Sequence, residues 1–300
     1  MLLKIITWNI NFIHDNWVER IVNINKILEK EIEDCDIIAL QEATLPFSDT
    51  LTDIHTFLKG SDMDYFGSPM LERNYLYKFA LEYFPEYKKN IASCLDYIMN
   101  TLLYIVGWIF SNYGELLKKI YFNHPYVSLM LVILFPIIFI SVWFFIGMIT
   151  IVNKKISCTV KSKYIGKRPI QYIEFIYNKR NIHFINVHLP PGTKETDKIE
   201  RFDEMKEIME MYKDKDNVII SGDYNENASS DIYASMIEEG YKSCVFEKLG
   251  KEVNTFPSDK PVKCIDFVMI KGHIKVKDVL IFSNPKASDH MGIKVTLDIE

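Results

Sequence analysis

The sequence lacks the cysteine pattern of a disulfide framework or a structural zinc site. Its five cysteines are odd in number and widely separated, and none forms a Cys-x-x-Cys pair. Cysteines of this kind favour a reducing compartment. Internal repeats and low-complexity tracts are also absent, which excludes repeat architectures.

An excess of positive charge is missing as well. The net charge is −5 and the pI is about 5.9, so tight sequence-independent binding to long nucleic acids is not favoured, although a local basic groove remains compatible with these values. The first apolar strand begins almost at the first residue, so a cleaved signal peptide is not expected. With 300 residues, 48% of them hydrophobic, the chain suits one large globular α/β domain or two small ones.

The N-terminal residues predict a strand, a helix and a second strand. Residues 2–10 are dense in β-branched side chains, residues 17–33 carry apolar side chains every three or four positions, and residues 37–40 are apolar throughout. Such a unit predicts a right-handed parallel crossover. The crossover would bring Asn9 and Glu42 to the same edge of a sheet.

The C-terminal half shows further strand and helix patterns separated by turn residues. An amphipathic helix is expected over residues 199–212 and a short helix over residues 231–240. The expected strands cover residues 147–153, 158–160, 169–177, 182–188, 216–225, 264–270, 275–282 and 293–299.

Between these halves lies a region of a different character. Residues 97–114 carry no charge over 18 positions, and residues 125–153 carry none over 29, whereas about 20 apolar residues span a bilayer. If the flanking strands belong to one domain, the chain must cross the membrane twice or not at all. We expect residues 67–146 to be an inserted helical hairpin that crosses twice, and the alternative is a buried or membrane-dipping hairpin that does not span.

The lysines around this region predict its orientation. Four lysines flank the two uncharged runs on the side of the folded domain, and two lie in the loop between the runs. By the positive-inside bias, the folded domain is expected in the cytoplasm, attached to a membrane. The flanking lysines are Lys88, Lys89, Lys154 and Lys155, and the loop lysines are Lys118 and Lys119.

Several polar side chains stand where predicted strands end. Asn9, Glu42, Asp223, Asn225 and Asp289 are hard oxygen donors of the kind that Mg²⁺ prefers. Taken alone, Glu42 could be an ordinary surface acid and Asn9 a turn residue. Together they predict a metal site at one edge of the fold.

Two histidines accompany these donors. His290 follows Asp289, and Asp266 is available to orient its ring, as expected for a base held in one tautomer. His188 ends an apolar strand, a position in which a lone histidine is more often structural. Trp8 is expected to pack in the core. We interpret the whole set as one metal-dependent site that cleaves phosphoesters.

Seven short motifs carry a resemblance to the endonuclease/exonuclease/phosphatase superfamily. Each is weak alone, but all seven occur in the right order and cover residues 1–66 and 147–300, the halves on either side of the hydrophobic region. The motifs are Thr7-Trp8-Asn9-Ile10, Leu40-Gln41-Glu42, Asn186-Val187-His188-Leu189, Ser221-Gly222-Asp223-Tyr224-Asn225, Thr255-Phe256-Pro257-Ser258, Ile265-Asp266 and Ser288-Asp289-His290.

The resemblance implies an α+β fold, a four-layer α/β/β/α sandwich of the DNase I type with the site in the cleft between two facing sheets. It implies that Glu42 is the principal ligand of Mg²⁺, or of Mn²⁺, with Asn9 and Asp289 nearby.

The resemblance also implies the roles of the remaining residues. His290, paired with Asp266, would activate the attacking water, and Asp223 and Asn225 would position water and phosphate oxygens. His188 would contact the phosphate and protonate the leaving oxygen.

The resemblance leaves the substrate open, because the superfamily includes nucleases, tyrosyl-DNA phosphodiesterases, inositol-polyphosphate phosphatases and neutral sphingomyelinases. The Trp-Cys-Asp-Arg stretch of the inositol phosphatases is replaced here by Val262-Lys263-Cys264-Ile265-Asp266, which counts against that branch.

A membrane hairpin would hold the cleft near lipid headgroups, so the first hypothesis is a membrane-bound phosphodiesterase acting on a phospholipid or sphingolipid headgroup. The second is a membrane-tethered nuclease or DNA-end-processing phosphodiesterase, and the third a non-catalytic membrane-anchored interaction module. The oligomeric state is left open.

Overall fold

The structure is a computed structural model that describes residues 2–11, 17–44, 61–69, 146–166 and 168–300. Residues 70–145, and with them nearly all of the expected helical hairpin, lie outside the described part. Within the described ranges, no helix has both the length and the apolar character needed to cross a bilayer.

Twelve strands and four helices make up the described chain. The strands are β1 (Leu2–Asn9), β2 (Ile37–Thr44), β3 (Met63–Pro69), β4 (Ile146–Asn153), β5 (Val160–Ile165), β6 (Arg168–Tyr177), β7 (Arg180–His188), β8 (Val218–Asp223), β9 (Lys242–Ser243), β10 (Asp266–Lys271), β11 (Ile274–Phe282) and β12 (Gly292–Ile299). The helices are α1 (Trp17–Ile32), α2 (Glu195–Met211), α3 (Asp231–Glu238) and α4 (Cys244–Leu249).

The strands form two six-stranded mixed sheets. The order in the first sheet is β11-β12-β1-β2-β4-β3, and the order in the second is β5-β6-β7-β8-β10-β9. Each sheet holds one parallel pair in its middle, β1 with β2 and β7 with β8. A helix connects the strands of each pair, so the two sheets share the same central strand–helix–strand unit.

The parallel strand–helix–strand unit predicted at the N-terminus is confirmed. β1 and β2 run parallel with Asn9 opposite Gln41, and α1 connects them. Glu42 therefore follows directly after the residue that pairs with Asn9. The crossover thus brings Asn9 and Glu42 to the same edge of the first sheet.

Three apolar layers hold the sheets and helices together. The inner faces of both sheets share one core, in which Ile5 of β1 and Phe184 of β7 are fully buried. Leu28 of α1 packs on the outer face of the first sheet, and Met205 of α2 and Met236 of α3 pack on the outer face of the second. The alternation of inward and outward side chains along each strand produces these layers. The result is the expected sandwich of two sheets with helices outside.

Parts of the secondary structure differ from the sequence prediction. The expected strand over residues 158–160 is wrong in position, because β5 spans Val160–Ile165 at the edge of its sheet. Its exposed lysines and serine give no apolar alternation that sequence reading could detect. β3 was not predicted, and neither was α4, which begins after the capping Ser243 and ends at Gly250 in the left-handed conformation, with a φ of 71°.

Candidate active site

Five of the predicted site residues lie at strand ends along one edge of the sandwich. Asn9 ends β1 and Glu42 lies near the end of β2 in the first sheet. In the second sheet, His188 of β7 is opposite Asp223 of β8, which is opposite Asp266 of β10. Both sheets therefore present polar side chains to the same cleft.

Glu42 sits in a local irregularity of β2. The pairing of β2 with β4 shifts register between Leu40 and Ala43, and Glu42 itself has a φ of 50°. Positive φ is uncommon for a residue with a long side chain, and such backbone strain often occurs at functional sites. Burial is the largest effect on the Glu42 carboxyl, and it raises the pKa.

Asn9 links the acids of the two sheets. Its side chain is fully buried, and its Nδ2 lies 2.9 Å from Oδ2 of Asp223 and 3.3 Å from Oε1 of Glu42. Its Oδ1 accepts a hydrogen bond from the backbone N–H of Asn11. In this arrangement the amide nitrogen, and not the oxygen proposed as a metal ligand, faces the two carboxylates.

His290 and Asp266 form a buried pair. Nδ1 of His290 lies 3.0 and 3.1 Å from the two carboxylate oxygens of Asp266. Burial alone would lower the pKa of His290, but the Asp266 carboxylate, with help from Asp223, raises it to about 10. A proton on Nδ1 shared with Asp266 leaves Nε2 directed toward the cleft, where it lies 3.8 Å from Oδ2 of Asp223.

Asp223 stands between the two histidines. Burial raises the pKa of its carboxyl, and the charge of Asp266 adds to this, while His290 opposes it. Its Oδ1 accepts a hydrogen bond from the backbone of Asn225, whose side chain donates to the carbonyl of Leu189. These bonds fix Asn225 at a positive φ of 52° beside the cleft.

His188 is buried beside the acids Glu42 and Asp223. Its Nε2 lies 3.5 Å from Oε1 of Glu42 and 3.8 Å from Oδ2 of Asp223, and neither ring nitrogen has a hydrogen-bond partner in the described part of the chain. Burial lowers its pKa well below the usual value, and the positive charges of Arg168 and His290 act in the same direction. The ring is therefore neutral, so it can donate one hydrogen bond but is a weak source of protons.

Asp289 completes the set from the loop before β12. Its Oδ2 accepts a hydrogen bond of 2.7 Å from Nδ2 of Asn11, while its Oδ1 is buried without a partner among the described residues. Its negative charge helps to raise the pKa of both Glu42 and His290. All eight predicted residues are thus connected through contacts or short-range charge interactions at one place.

The donor set fits a hard divalent cation. Asp223, Asp266 and His290 have ligand atoms within 4.8 Å of one another, although the ring nitrogen of His290 near Asp266 is already engaged. Glu42 and Asp289 add carboxylate oxygens, of which Oδ1 of Asp289 has no partner in the described structure. Asp223 and Asp266 are buried and Glu42 and Asp289 are half-buried, and so many acids close together are unfavourable without a compensating positive charge.

Sequence reasoning missed two features of the site. Arg168, the first residue of β6, has a pKa that burial lowers, and its charge interacts with Glu42 and Asp223. The second feature is a buried chain of amides between the sheets. Gln41 donates a 2.7 Å hydrogen bond to Asn186 of the opposite sheet, and a hydrogen bond of 3.4 Å connects Asn186 to Gln171. No local sequence pattern could reveal either feature, because the partners are far apart in the chain.

The raised pKa of His290 leads to a pH-dependent prediction. Because the folded pKa of about 10 exceeds the usual 6.5, the His290–Asp266 pair stabilises the fold fully below about pH 6.5, and this stabilisation is lost as the pH rises through about 10. In Asp266→Asn, burial remains without the counter-charge, so the pKa of His290 should fall by one unit or more, on the order of the shifts that a paired charge produces.

NMR titration of the metal-free protein with ¹⁵N-labelled histidine measures this pKa. His183, a buried histidine 3.3 Å from Glu174 and away from the cleft, is the internal control and should titrate alike in both proteins. An unchanged His290 pKa in the variant would show that Asp266 does not control the protonation of the ring.

Comparison with known proteins places the chain in a family. Residues 6–290 match the model of the Endonuclease/Exonuclease/phosphatase family, so the chain belongs to that family. Its members typically hydrolyse phosphoesters and generally depend on a divalent metal. A search of curated protein sequences found no match.

Solved structures share the fold at low sequence identity. An endonuclease/exonuclease/phosphatase from Bacteroides vulgatus has a TM-score of 0.62 at 13% identity, covering 100% of each chain. A family protein from Leptotrichia buccalis has a TM-score of 0.59 at 17% identity, covering 99% of each. TDP2 from D. rerio, solved with a single-strand DNA product, has a TM-score of 0.57 at 12% identity, covering 99% of each.

Proposed function

We propose that this protein is a divalent-metal-dependent phosphodiesterase or phosphoesterase in which a histidine activates the attacking water. The observation that carries the proposal is the position of the His290–Asp266 pair beside the acids Asp223 and Glu42. A base oriented by a carboxylate, next to acids that suit a metal, is the arrangement required for hydrolysis of a phosphoester.

In this proposal, His290 removes the proton from water. Asp266 holds Nδ1 at 3.0 Å, so Nε2 is the atom that accepts the proton once the ring is neutral. The pKa of about 10 keeps the ring protonated in the metal-free protein, and the positive charge of a bound divalent ion would lower that pKa and favour the neutral base. Asp223 and Asn225 lie on the same side and orient the water and the phosphate oxygens. The neutral His188 donates a hydrogen bond to the phosphoryl group and stabilises the charge that develops there.

Mg²⁺, or Mn²⁺ in its place, is the proposed cofactor, held by Glu42 and Asp289 with Asn9 beside them. When bound, such an ion supplies positive charge that offsets the buried carboxylates and the phosphoryl oxygens. The buried Oδ1 of Asp289, without a partner among the described residues, and the raised pKa of Glu42 support this assignment.

The first candidate substrate is a phospholipid or sphingolipid headgroup at a membrane surface. Support comes from the uncharged runs within residues 67–146 and from the place where this segment joins the fold. Gly147 of β4 pairs with Pro69 of β3 on one side and with Ala43 of β2 on the other. Because adjacent strands lie about 5 Å apart, the segment joins the first sheet within about 10 Å of the strand that carries Glu42.

The same pairing argues against a single crossing and is compatible with a double crossing or with none. Residues 69 and 147 are neighbours in one sheet, so the chain leaves and re-enters the folded domain at the same place. A segment with both ends on one side of a bilayer crosses it an even number of times. We therefore retain the proposal of a membrane hairpin with the catalytic domain on the cytoplasmic side, where the flanking lysines favour it.

The second candidate substrate is nucleic acid, as a nuclease or a DNA-end-processing phosphodiesterase. Its support is the shared fold with TDP2, whose structure was solved with a single-strand DNA product. The net charge of −5 weighs against binding to long nucleic acids but not against a short single strand.

A substrate panel with the full-length chain in detergent or nanodiscs tests the proposal. We expect phosphocholine release from sphingomyelin-containing liposomes with Mg²⁺, and none with EDTA. Cleavage of short single-stranded oligonucleotides, without release of any lipid headgroup, would replace the first candidate with the second.

The control for this panel is the variant His290→Ala, which should be inactive on whichever substrate the wild type cleaves. A generic substrate, bis(p-nitrophenyl) phosphate, is included so that hydrolysis can be detected when the natural leaving group is absent from the panel. A wild-type protein that hydrolyses none of these substrates with Mg²⁺ or Mn²⁺ would reject the enzymatic function and leave a non-catalytic interaction module.

A further inference from the structure

The loop that carries Asp289 and His290 lies outside the ladder of the first sheet. We call residues 287–291 the histidine loop. The pairing of β12 with its neighbours begins only at residues 292 and 293, so the sheet does not determine the conformation of this loop. Other bonds must hold it in place.

Four consecutive carbonyls of the histidine loop each accept a hydrogen bond from outside the loop. The four bonds are Arg20 Nε to Ala287 O at 3.1 Å, Ser258 Oγ to Ser288 O at 2.6 Å, Ser258 N to Asp289 O at 2.6 Å and Trp8 Nε1 to His290 O at 3.0 Å. Three of these four donors are side-chain groups, from β1, from α1 and from the loop before β10. Distant segments of the chain therefore hold the histidine loop.

All three side chains are buried. The exposed fraction is 1% for Trp8, 7% for Arg20 and 6% for Ser258. A buried polar group that loses its partner destabilises the protein, so these bonds are strongly maintained in the folded state. The histidine loop consequently has little freedom to shift relative to β1 and α1.

Arg20 joins two parts of the site. Its Nη2 donates to the carbonyl of Ile10, after the end of β1, while its Nε donates to the histidine loop. Ser288 Oγ adds a 2.6 Å hydrogen bond to the carbonyl of Asn9. The end of β1 and the histidine loop are therefore fixed to each other, and with them the groups that each contributes to the site.

We infer that Trp8, Arg20 and Ser258 are positioning residues that hold the histidine loop in its working geometry. Among the described residues, none of the three contacts the reacting atoms, and each donates to the loop backbone. The charge of Arg20 also acts on Asp289 and Glu42. A displacement of about 1 Å in a catalytic group can reduce the rate about 100-fold. The inference rests on the proposed function for its kinetic readout.

The variant Trp8→Phe isolates one of these bonds. Phenylalanine preserves an aromatic ring against Phe282, whose ring centre lies 5.4 Å from that of Trp8, but it cannot donate to His290 O. We expect kcat to fall about 10- to 100-fold with KM nearly unchanged. In the His290→Ala background the same change should have almost no further effect, because the two residues act through one group.

The matched control is Phe184→Leu, which also removes buried aromatic atoms but lies in the core between the sheets, within β7. It should lower stability without a comparable loss of kcat. Equal losses of kcat in both variants, or full additivity of Trp8→Phe with His290→Ala, would overturn the inference.

Substitutions at Ser258 test the positioning role independently of Trp8. Ser258→Ala removes the donor to Ser288 O and should lower kcat about tenfold, whereas Ser258→Thr keeps the hydroxyl and should restore most of it. Failure of threonine to rescue a defective alanine variant would assign Ser258 to general packing.

Hydrogen–deuterium exchange tests the inference without any substrate. The peptide covering residues 285–292 should exchange about 3- to 10-fold faster in Trp8→Phe and Ser258→Ala than in wild type or Phe184→Leu. A wild type that is inactive on every substrate would remove the proposed function, while this exchange difference would still establish how the loop is held. Unchanged exchange in both loop variants would reject the positioning role.

Discussion

Replacement of His290 by alanine is expected to lower kcat by about 10²- to 10⁴-fold, the range that a positioned general base contributes. The reason is geometric, since Nε2 of His290 is the ring nitrogen that remains directed into the cleft when Asp266 holds Nδ1. Steady-state kinetics on the substrate identified by the panel measures the effect. KM should change much less than kcat, because the ring acts mainly in the transition state.

His183→Ala is the control for this variant. His183 is also a buried histidine next to an acid, but it pairs with Glu174 outside the cleft. It should retain wild-type kcat even if its stability is reduced. A loss of activity in His183→Ala as large as that in His290→Ala would mean that the defect arises from folding and not from proton transfer.

Replacement of Glu42 by glutamine is expected to remove most of the metal-dependent activity, about 100-fold or more, because metal assistance contributes several kcal/mol to such reactions. The variant should also lose the thermal stabilisation by Mg²⁺, which can be measured without substrate. Saturating Mg²⁺, at about 100 times Kd, stabilises a folded protein by about 2.7 kcal/mol, and the resulting rise in Tm should be present in wild type and nearly absent in Glu42→Gln.

The same variant has a distinguishing property in the absence of metal. Burial raises the pKa of Glu42, so its negative charge destabilises the metal-free fold at neutral pH. Glutamine should therefore leave the metal-free Tm unchanged or slightly higher. Glu174→Gln, at an exposed acid far from the cleft, should keep the full metal response. A Glu42→Gln protein with the same Mg²⁺-induced rise in Tm as wild type would exclude Glu42 as a metal ligand.

Much of the fold was accessible from the sequence because its central elements are strongly periodic. The β1–α1–β2 unit follows from β-branched runs around an amphipathic helix, and its parallel register brought Asn9 and Glu42 together as expected. Edge strands were harder to predict. β3 contains a glycine and ends at a proline, and β5 carries lysines, since an edge strand is paired on one side only and needs less apolar surface.

The residues of the candidate site could also be predicted from the sequence, but their orientations could not. Acids, amides and histidines at strand ends are visible as sequence positions, and the fold brings them to one cleft. Their orientations could not be predicted, as the nitrogen of the Asn9 amide facing the acids shows. Trp8 was expected only as a core residue, and its bond to His290 O joins residues 282 positions apart in the chain. Such a bond depends on tertiary packing, which no local pattern encodes.

The close approach of residues 69 and 147 also affects how this part of the chain can change during evolution. Both ends are fixed by the sheet as neighbouring positions of an antiparallel pair, so the separation that any intervening sequence must bridge is already set. Lengthening a flexible connection twofold adds only about 0.6 kcal/mol of closure entropy. Segments of very different length could therefore be gained or lost at this junction, while the register of the first sheet stays the same.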